Sequence, residues 1–520
     1  MHHRNTLAAL STIVMLACGG ASAAGEEGQP QMASEVSQHG ITWTFDGEYE
    51  VGQFVTGDWW VVGPVTVTQV SPEPGPAEEG ESIDTPENVW GDTSLRNNPA
   101  MRNGSMIVLE AGGRQGYDSR SQTYNADLSV SFPMEVEANR SLISTISNGE
   151  LPVPNFVHRI MWPSEKRSQT VLNTAAVLTV LDEAPPADAF RPPYAGTDKP
   201  IYRASDLRWD LLLELAPPDM SGADYAAGYD LRVLEDWDQM ARYFERPWLE
   251  HVSNWQQQQL NANENQPNYG REHSRLVSIA SLMLHLDVPR ERKERLLIGL
   301  VQYGIDNAGA GRAGASWNWG GGHTSGRKWP VLFASLMLDA PELRDLPESV
   351  IFHEDAQTYY GMGWAGQTAL YWMVQHHGRR DRYEHKPPQE WERWDRSTES
   401  YRRCCNLRAW VGTALAARLM GQIELWDHDA YFDNVDRWMA QDDAYAENRG
   451  SHERPGDEGS TFDPFVDAMW HAYRDTAPDQ PMAGNPRMFV WTDSGGAWVD
   501  NPKPTDEEVA AHLESLRERE

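Results

Sequence analysis

The spacing of apolar positions along this chain changes near residue 185. Before it, the pattern is that of strands. Ile41, Trp43 and Phe45 alternate with Thr42 and Thr44, the period of a half-buried strand. Residues 49–55 and 58–68 continue in the same manner, the second run broken at Gly63 and Pro64. Further strand signals stand at 106–109, 128–132 and 174–181, and a Pro/Glu/Gly loop fills 72–86. Short strands between turn residues predict a β-sandwich over residues 39–184. Residues 25–38 are small and polar and read as a leader without fixed structure.

Pro185, Pro186, Pro192 and Pro193 mark a linker. Beyond them the apolar period becomes helical. Helices are predicted at 206–215, 231–248, 272–286, 290–305, 331–338, 358–377, 401–420 and 430–439. In the third of these, Leu276, Ile279, Leu282, Met283 and Leu286 share one face. Pro330 suits the first turn of the fifth. Consecutive helices of moderate length predict an all-α helical toroid, α/α barrel-like, over residues 200–495. An irregular helical bundle is the alternative. Residues 496–520 form a charged tail, with 505–520 a lone amphipathic helix or a frayed end. The expected fold is therefore a multidomain α and β chain, a β-sandwich followed by a toroid.

Composition narrows the function. The 520 residues carry a formal net charge of −33, which argues against nucleic acid and against a polybasic membrane patch. Residues 1–24 have the form of a secretory signal: Arg4, an apolar run over 7–16, then Ala21, Ser22 and Ala23. A secreted or periplasmic protein is expected. Cys18, after Met15, Leu16 and Ala17, offers a lipid anchor as the alternative. No later apolar run is long enough to span a bilayer. The other two cysteines, Cys404 and Cys405, are adjacent in a helical pattern. Buried free thiols are expected there, with a strained vicinal disulfide as the alternative.

The densest chemistry lies at 317–330, where four glycines separate Trp317, Trp319, His323, Arg327, Lys328 and Trp329. Glycine frees the backbone to approach a ligand closely. Of the 22 tryptophans, those in this loop are candidates to stack on sugar rings, although tryptophan is also core filler. A second cluster, Asn268, Tyr269 and Arg271, stands at the start of a predicted helix, where a cap plus a core tyrosine accounts for the same residues. A third runs through His353, Glu354, Asp355, Tyr359 and Tyr360 to Gln367. Zinc-protease, paired-cysteine, Walker and nucleophile-elbow motifs are missing, and so is a dinucleotide fingerprint. No metal and no cofactor is expected.

Amide, phenol, imidazole and guanidinium groups together suit β-elimination at a uronic acid. A neutral or cationic group masks the sugar carboxylate, and a tyrosine or histidine removes the C5 proton. In this reading Asn268, Tyr269, His323, Tyr359 and Tyr360 are the catalytic candidates. Arg271, Trp317, Trp319, Arg327, Lys328, Trp329 and Gln367 would hold a polysaccharide substrate. A hydrolase needs paired carboxylates instead, with Asp355, Asp429 and Glu458 available. A noncatalytic glycan-binding or scaffold protein is the third reading.

The general plan resembles the toroid polysaccharide lyases, of the alginate, chondroitin and heparin types. Many of those place the toroid first, and none of their motifs matches here residue by residue. The phrases at 322–330 and 267–271 also resemble those of a group of secreted proteins of environmental bacteria, a resemblance that spans most of the chain after residue 24 and supplies no activity.

Overall fold

β1 (Gln31–Gln38) and β2 (Ile41–Gln53) form an antiparallel hairpin, turned by His39 and Gly40 at φ of 51° and 81°. Residues 31–38 are thus a strand and not an unstructured leader. Their side chains are mostly exposed, so hydropathy gives no sign of a strand whose backbone pairs with β2. The computed structural model describes residues 30–76, 99–149, 151, 170–221, 236–267, 269–318, 321–372, 384–387, 405–440, 461–478, 480, 484, 486–492 and 495–519. The expected signal at 1–24, Cys18, Asn268, Trp319 and Glu458 lie outside those residues.

β2 also pairs with β3 (Trp59–Val62) and β4 (Val65–Ser71), the two halves of the run broken at Gly63 and Pro64. β5 (Ser105–Ile107), β6 (Met134–Val136), β7 (Arg140–Ser147) and β8 (Leu172–Leu181) complete an eight-stranded sheet. Its order is β5-β7-β8-β3-β2-β4-β6, with β1 added on β2. β3 runs parallel to β8, and the remaining pairs are antiparallel. The expected two-sheet sandwich is therefore corrected to one mixed sheet curled into a half-barrel. The reason is local. A curled sheet and a sandwich both bury one face of each strand, so alternation alone does not separate them. Trp43, Val61, Val65, Val67, Leu142 and Val180 form the sheet's main buried apolar cluster.

The helical part differs too. Residues 206–215, expected as a helix, form 3-10 turns and extended backbone. Their polar backbone groups are taken by other elements: Arg208 N–H donates to Met337 O at 2.7 Å and Leu215 N–H to His285 O at 2.8 Å. α1 (Trp237–Arg242) is short, and the chain turns before Pro247, which cannot continue a helix. α2 (Gly270–Leu284), α3 (Arg290–Arg312) and α4 (Lys328–Met337) follow as long apolar-faced helices, then α5 (His353–Gln357). Over 358–372, the described part of the helix expected at 358–377, the chain forms a hairpin instead, β9 (Thr358–Tyr360) against β10 (Ala369–Tyr371). Gly361, Gly363 and Gly366 break the helix, and Gly366 has a φ of 78°.

α6 (Leu407–Leu419), α7 (Ile423–Trp426), α8 (Asp429–Ala440) and α9 (Pro464–Tyr473) come next. A second hairpin, β11 (Arg487–Thr492) and β12 (Gly495–Asp500), precedes α10 (Asp506–Arg517), which Thr505 and Glu508 open with a capping box. Ten α-helices of 4 to 23 residues, mixed with two hairpins, make a mixed α/β fold among the described residues and not an all-α toroid.

Two contacts set the frame for the site. The close pairs are α2 on α6 and α3 on α4, where a Cβ on Gly304 would lie 2.1 Å from Pro330 O. The sheet is pinned to the helices by Arg191, whose Nε donates to Asp58 at 2.7 Å and whose Nη1 donates to Asp306 at 2.9 Å, all three side chains buried.

Candidate functional site

The glycine-rich loop lies against the first turn of α2. A Cβ on Gly270 would fall 1.9 Å from His323 O and 2.3 Å from Gly322 O, so only glycine lets the two backbones touch. Gly326, at φ 90°, presses on Ser274 of α2 in the same way, with a Cβ position 2.5 Å from Ser274 Cα. These contacts bring the 267–271 and 317–330 segments together.

At the meeting point the rings of Tyr269 and His323 stand edge to face, centroids 4.9 Å apart at 84°. Gly322 N–H donates to Tyr269 Oη at 3.0 Å. The Arg271 guanidinium lies 5.1 Å from the Tyr269 ring centre and 5.0 Å from that of Phe462. Both Tyr269 and His323 are partly exposed. Arg271 is buried, its Nε donating to Glu272 at 2.8 Å. Cys405, whose carbonyl oxygen would lie 2.6 Å from a Cβ on Gly322, is disulfide-bonded, which corrects the expectation of free thiols.

The rest of the loop is anchored inward. Arg327 is fully buried. Its Nε donates to both Glu250 oxygens, its Nη1 to Ser325 O at 2.5 Å, and its Nη2 to Gln257 Oε1 and His273 Nδ1 at 2.8 Å each. An arginine can only donate, so His273 must be neutral with its proton on Nε2, facing Pro267 O at 3.1 Å. Burial first, then Arg327, hold the His273 imidazole well below its ordinary range. Glu250 also accepts from Tyr303 Oη at 2.9 Å and from Trp317 Nε1 at 3.1 Å. Trp317 is buried and stacks on Phe352. Lys328 pairs with Asp355, and Trp426 Nε1 donates to that carboxylate at 3.0 Å. Trp329 is buried and donates to Ser281.

The structure thus separates the candidates. Tyr269 and His323 meet at the surface, with Arg271 just beneath. Trp317, Arg327, Lys328 and Trp329 point inward and present no face to a sugar. Tyr359 packs on Leu370, Trp372 and Met488. Tyr360 is also buried; its Oη donates to Asp433 at 2.7 Å, and burial together with that carboxylate raises its phenol above the ordinary range. Gln367 belongs to the β9–β10 turn, where its Oε1 accepts from Ala365 N–H at 3.0 Å. Asp355 is committed to Lys328 and Trp426, and Asp429 is buried.

Glu250 is absent from the sequence candidates, and His273 and Glu354 stand among them only as neighbours of the assigned residues. Glu250 carries the buried network; its signal was a carboxylate inside the otherwise tight run 247–252. His273 was seen only as part of a helix start. Glu354 accepts Gly326 N–H at 2.5 Å, and burial pushes its carboxyl up to about 7. No cluster of three or more metal-ligating side chains exists among the described residues, and no described helix is long and apolar enough to cross a membrane. No family model, curated protein or solved structure matches this chain.

Proposed function

We propose that the chain is a carbohydrate-active lyase that cleaves a uronic-acid-containing polysaccharide by β-elimination, with Tyr269 and His323 as its proton-transfer pair. The observation that carries this reading is the edge-to-face contact of those two rings at a partly exposed, glycine-lined surface. A phenol and an imidazole side by side supply a base and an acid without paired carboxylates. Gly322 N–H donates to Tyr269 Oη and the Arg271 guanidinium lies near the ring, so a donor and a cation both stand beside the proposed base.

In the proposed step Tyr269 Oη takes the C5 proton of the uronic acid. The C5 electrons form the C4–C5 double bond, and the C4–oxygen bond breaks. His323, protonated, gives its proton to the leaving oxygen. Asn268 is assigned to mask the sugar carboxylate. Trp319 remains the proposed stacking residue of the loop. Export, with or without lipid at Cys18, belongs to the same proposal and rests on the pattern of residues 1–24.

The test is a digest of anionic and neutral polysaccharides, followed both by the ultraviolet absorbance of unsaturated uronates and by new reducing ends. The reading expects both signals on at least one uronic-acid polymer, and loss of both in Tyr269→Phe. Reducing ends without unsaturation would replace it with hydrolysis. Binding without cleavage would replace it with a glycan-binding scaffold.

A further inference from the structure

We propose that a second site, a cavity of about 310 Å³ between the sheet and helices α1 and α3, binds a small organic cation: a protonated amine with a compact apolar body. Its size sits at the lower end of the roughly 300–1,000 Å³ of small-molecule sites, and junctions between structural units are a preferred place for them.

The walls decide the ligand's shape. Phe244, Trp248 and Ile298 give an apolar side, and Gly299 lets α3 pack closely on Phe244, since a Cβ there would come within 2.8 Å of Phe244 Cβ. The aromatic faces suit an apolar group and attract a cation placed over them.

The polar groups decide its charge. Every arginine at the cavity already has carboxylate partners. Arg191 is held by Asp58 and Asp306. Arg246 reaches Glu245 at 3.3 Å and Glu264 at 2.9 Å. Arg295 pairs with Glu245 and with Asp238. Glu291 and Glu294, by contrast, are exposed on the first turns of α3 at the mouth and make no ion pair among the described residues. The unspent charge is therefore negative.

The third observation is Gln302, 5% exposed and lining the cavity. Its Nε2 donates to Arg191 O at 2.9 Å, which fixes the amide's orientation. Its Oε1, then the acceptor, has no hydrogen-bond partner among the described residues. A buried acceptor in that condition calls for a donor. An ammonium N–H meets it, whereas a carboxylate or phosphate brings only further acceptors. Acceptor, apolar wall and negative mouth select the same ligand class.

The experiment is calorimetric titration of the full chain with phenethylamine, protonated at neutral pH, and with 2-phenylethanol, which has the same body and no charge. The expected result is one saturable site per chain for the amine and at least tenfold weaker binding of the alcohol. Glu291→Gln with Glu294→Gln, both exposed and harmless to folding, should weaken the amine about fivefold, the scale of two partly screened charges. Gln302→Leu should weaken it further, with the melting curve showing that the variant is folded. No saturable binding of the amine at millimolar concentration overturns the proposal. So does equal affinity for the alcohol, or unchanged affinity in the double variant.

Discussion

Tyr269 and His323 lie 54 positions apart in sequence and meet ring against ring, with centroids 4.9 Å apart. Backbone contact makes the meeting possible: Gly270 admits the His323 carbonyl where any side chain would collide with it. The proposed pair is therefore held by two backbones in contact, which fixes its geometry more firmly than side-chain packing alone.

Gly270→Ala is the sharpest structural probe of that arrangement. The added methyl would overlap the loop backbone, and the overpacking should cost roughly 1–3 kcal/mol. The loop must then lift from α2, carrying His323 away from Tyr269. The expected outcome is a folded protein with lowered stability in urea and little or no cleavage. A variant with full activity would mean that the pair need not touch.

The buried Glu250–Arg327 pair should behave differently. Arg327→Met leaves Glu250 uncompensated and removes donors from Gln257 and His273. Breaking one partner of a buried pair costs about 3–5 kcal/mol. Urea unfolding should show a loss of that size. A loss near zero would show that the loop is held by something else.

Stability should depend on pH through Glu354. Burial raises its carboxyl from 4.5 to about 7 in the folded chain. A raised value favours the folded state while the group stays protonated. That contribution is complete below pH 4.5 and disappears as pH rises to about 7, a change on the order of 3 kcal/mol. Glu354→Gln keeps an acceptor for Gly326 N–H and cannot ionise. It should gain stability relative to the parent at pH 8 and not at pH 4.5. A difference that does not vary with pH would contradict the assignment.

His285 acts in the opposite direction. Burial lowers its imidazole to about 3, and its Nδ1 accepts Leu213 N–H at 3.0 Å. It stays neutral in the fold while the unfolded chain takes up a proton below pH 6.5. Its contribution is complete above 6.5 and is lost as pH falls toward 3. His285→Asn, which keeps an acceptor near Nδ1, should flatten the loss of stability between pH 6.5 and 5. An unchanged slope there would contradict this.

The long helices were legible because apolar residues recur on one face, as in Leu276, Ile279, Leu282 and Met283 of α2. The convergence of the 267–271 and 317–330 segments was not legible, because a glycine that admits another backbone looks in sequence like one that admits a ligand or makes a turn. Neither was strand β7. Its buried Ser141, Ser144 and Thr145 read as polar, yet Ser144 accepts Trp43 Nε1 at 3.0 Å across the sheet. Nor was the fate of Arg327 and Lys328. Their carboxylate partners, Glu250 and Asp355, lie 77 and 27 residues away, and nothing local separates a buried cation from a solvated one. The curl of the sheet was hidden for a similar reason, since the parallel pairing of β3 with β8 joins segments more than 100 residues apart.

The central claim rests on one pair of side chains, so the most direct measurement is the product of a uronic-acid polymer treated with the parent chain, with Tyr269→Phe and with His323→Ala. The account predicts unsaturated, ultraviolet-absorbing ends from the parent and none from either variant, with all three proteins melting alike. Equal unsaturated product from the parent and both variants would contradict it.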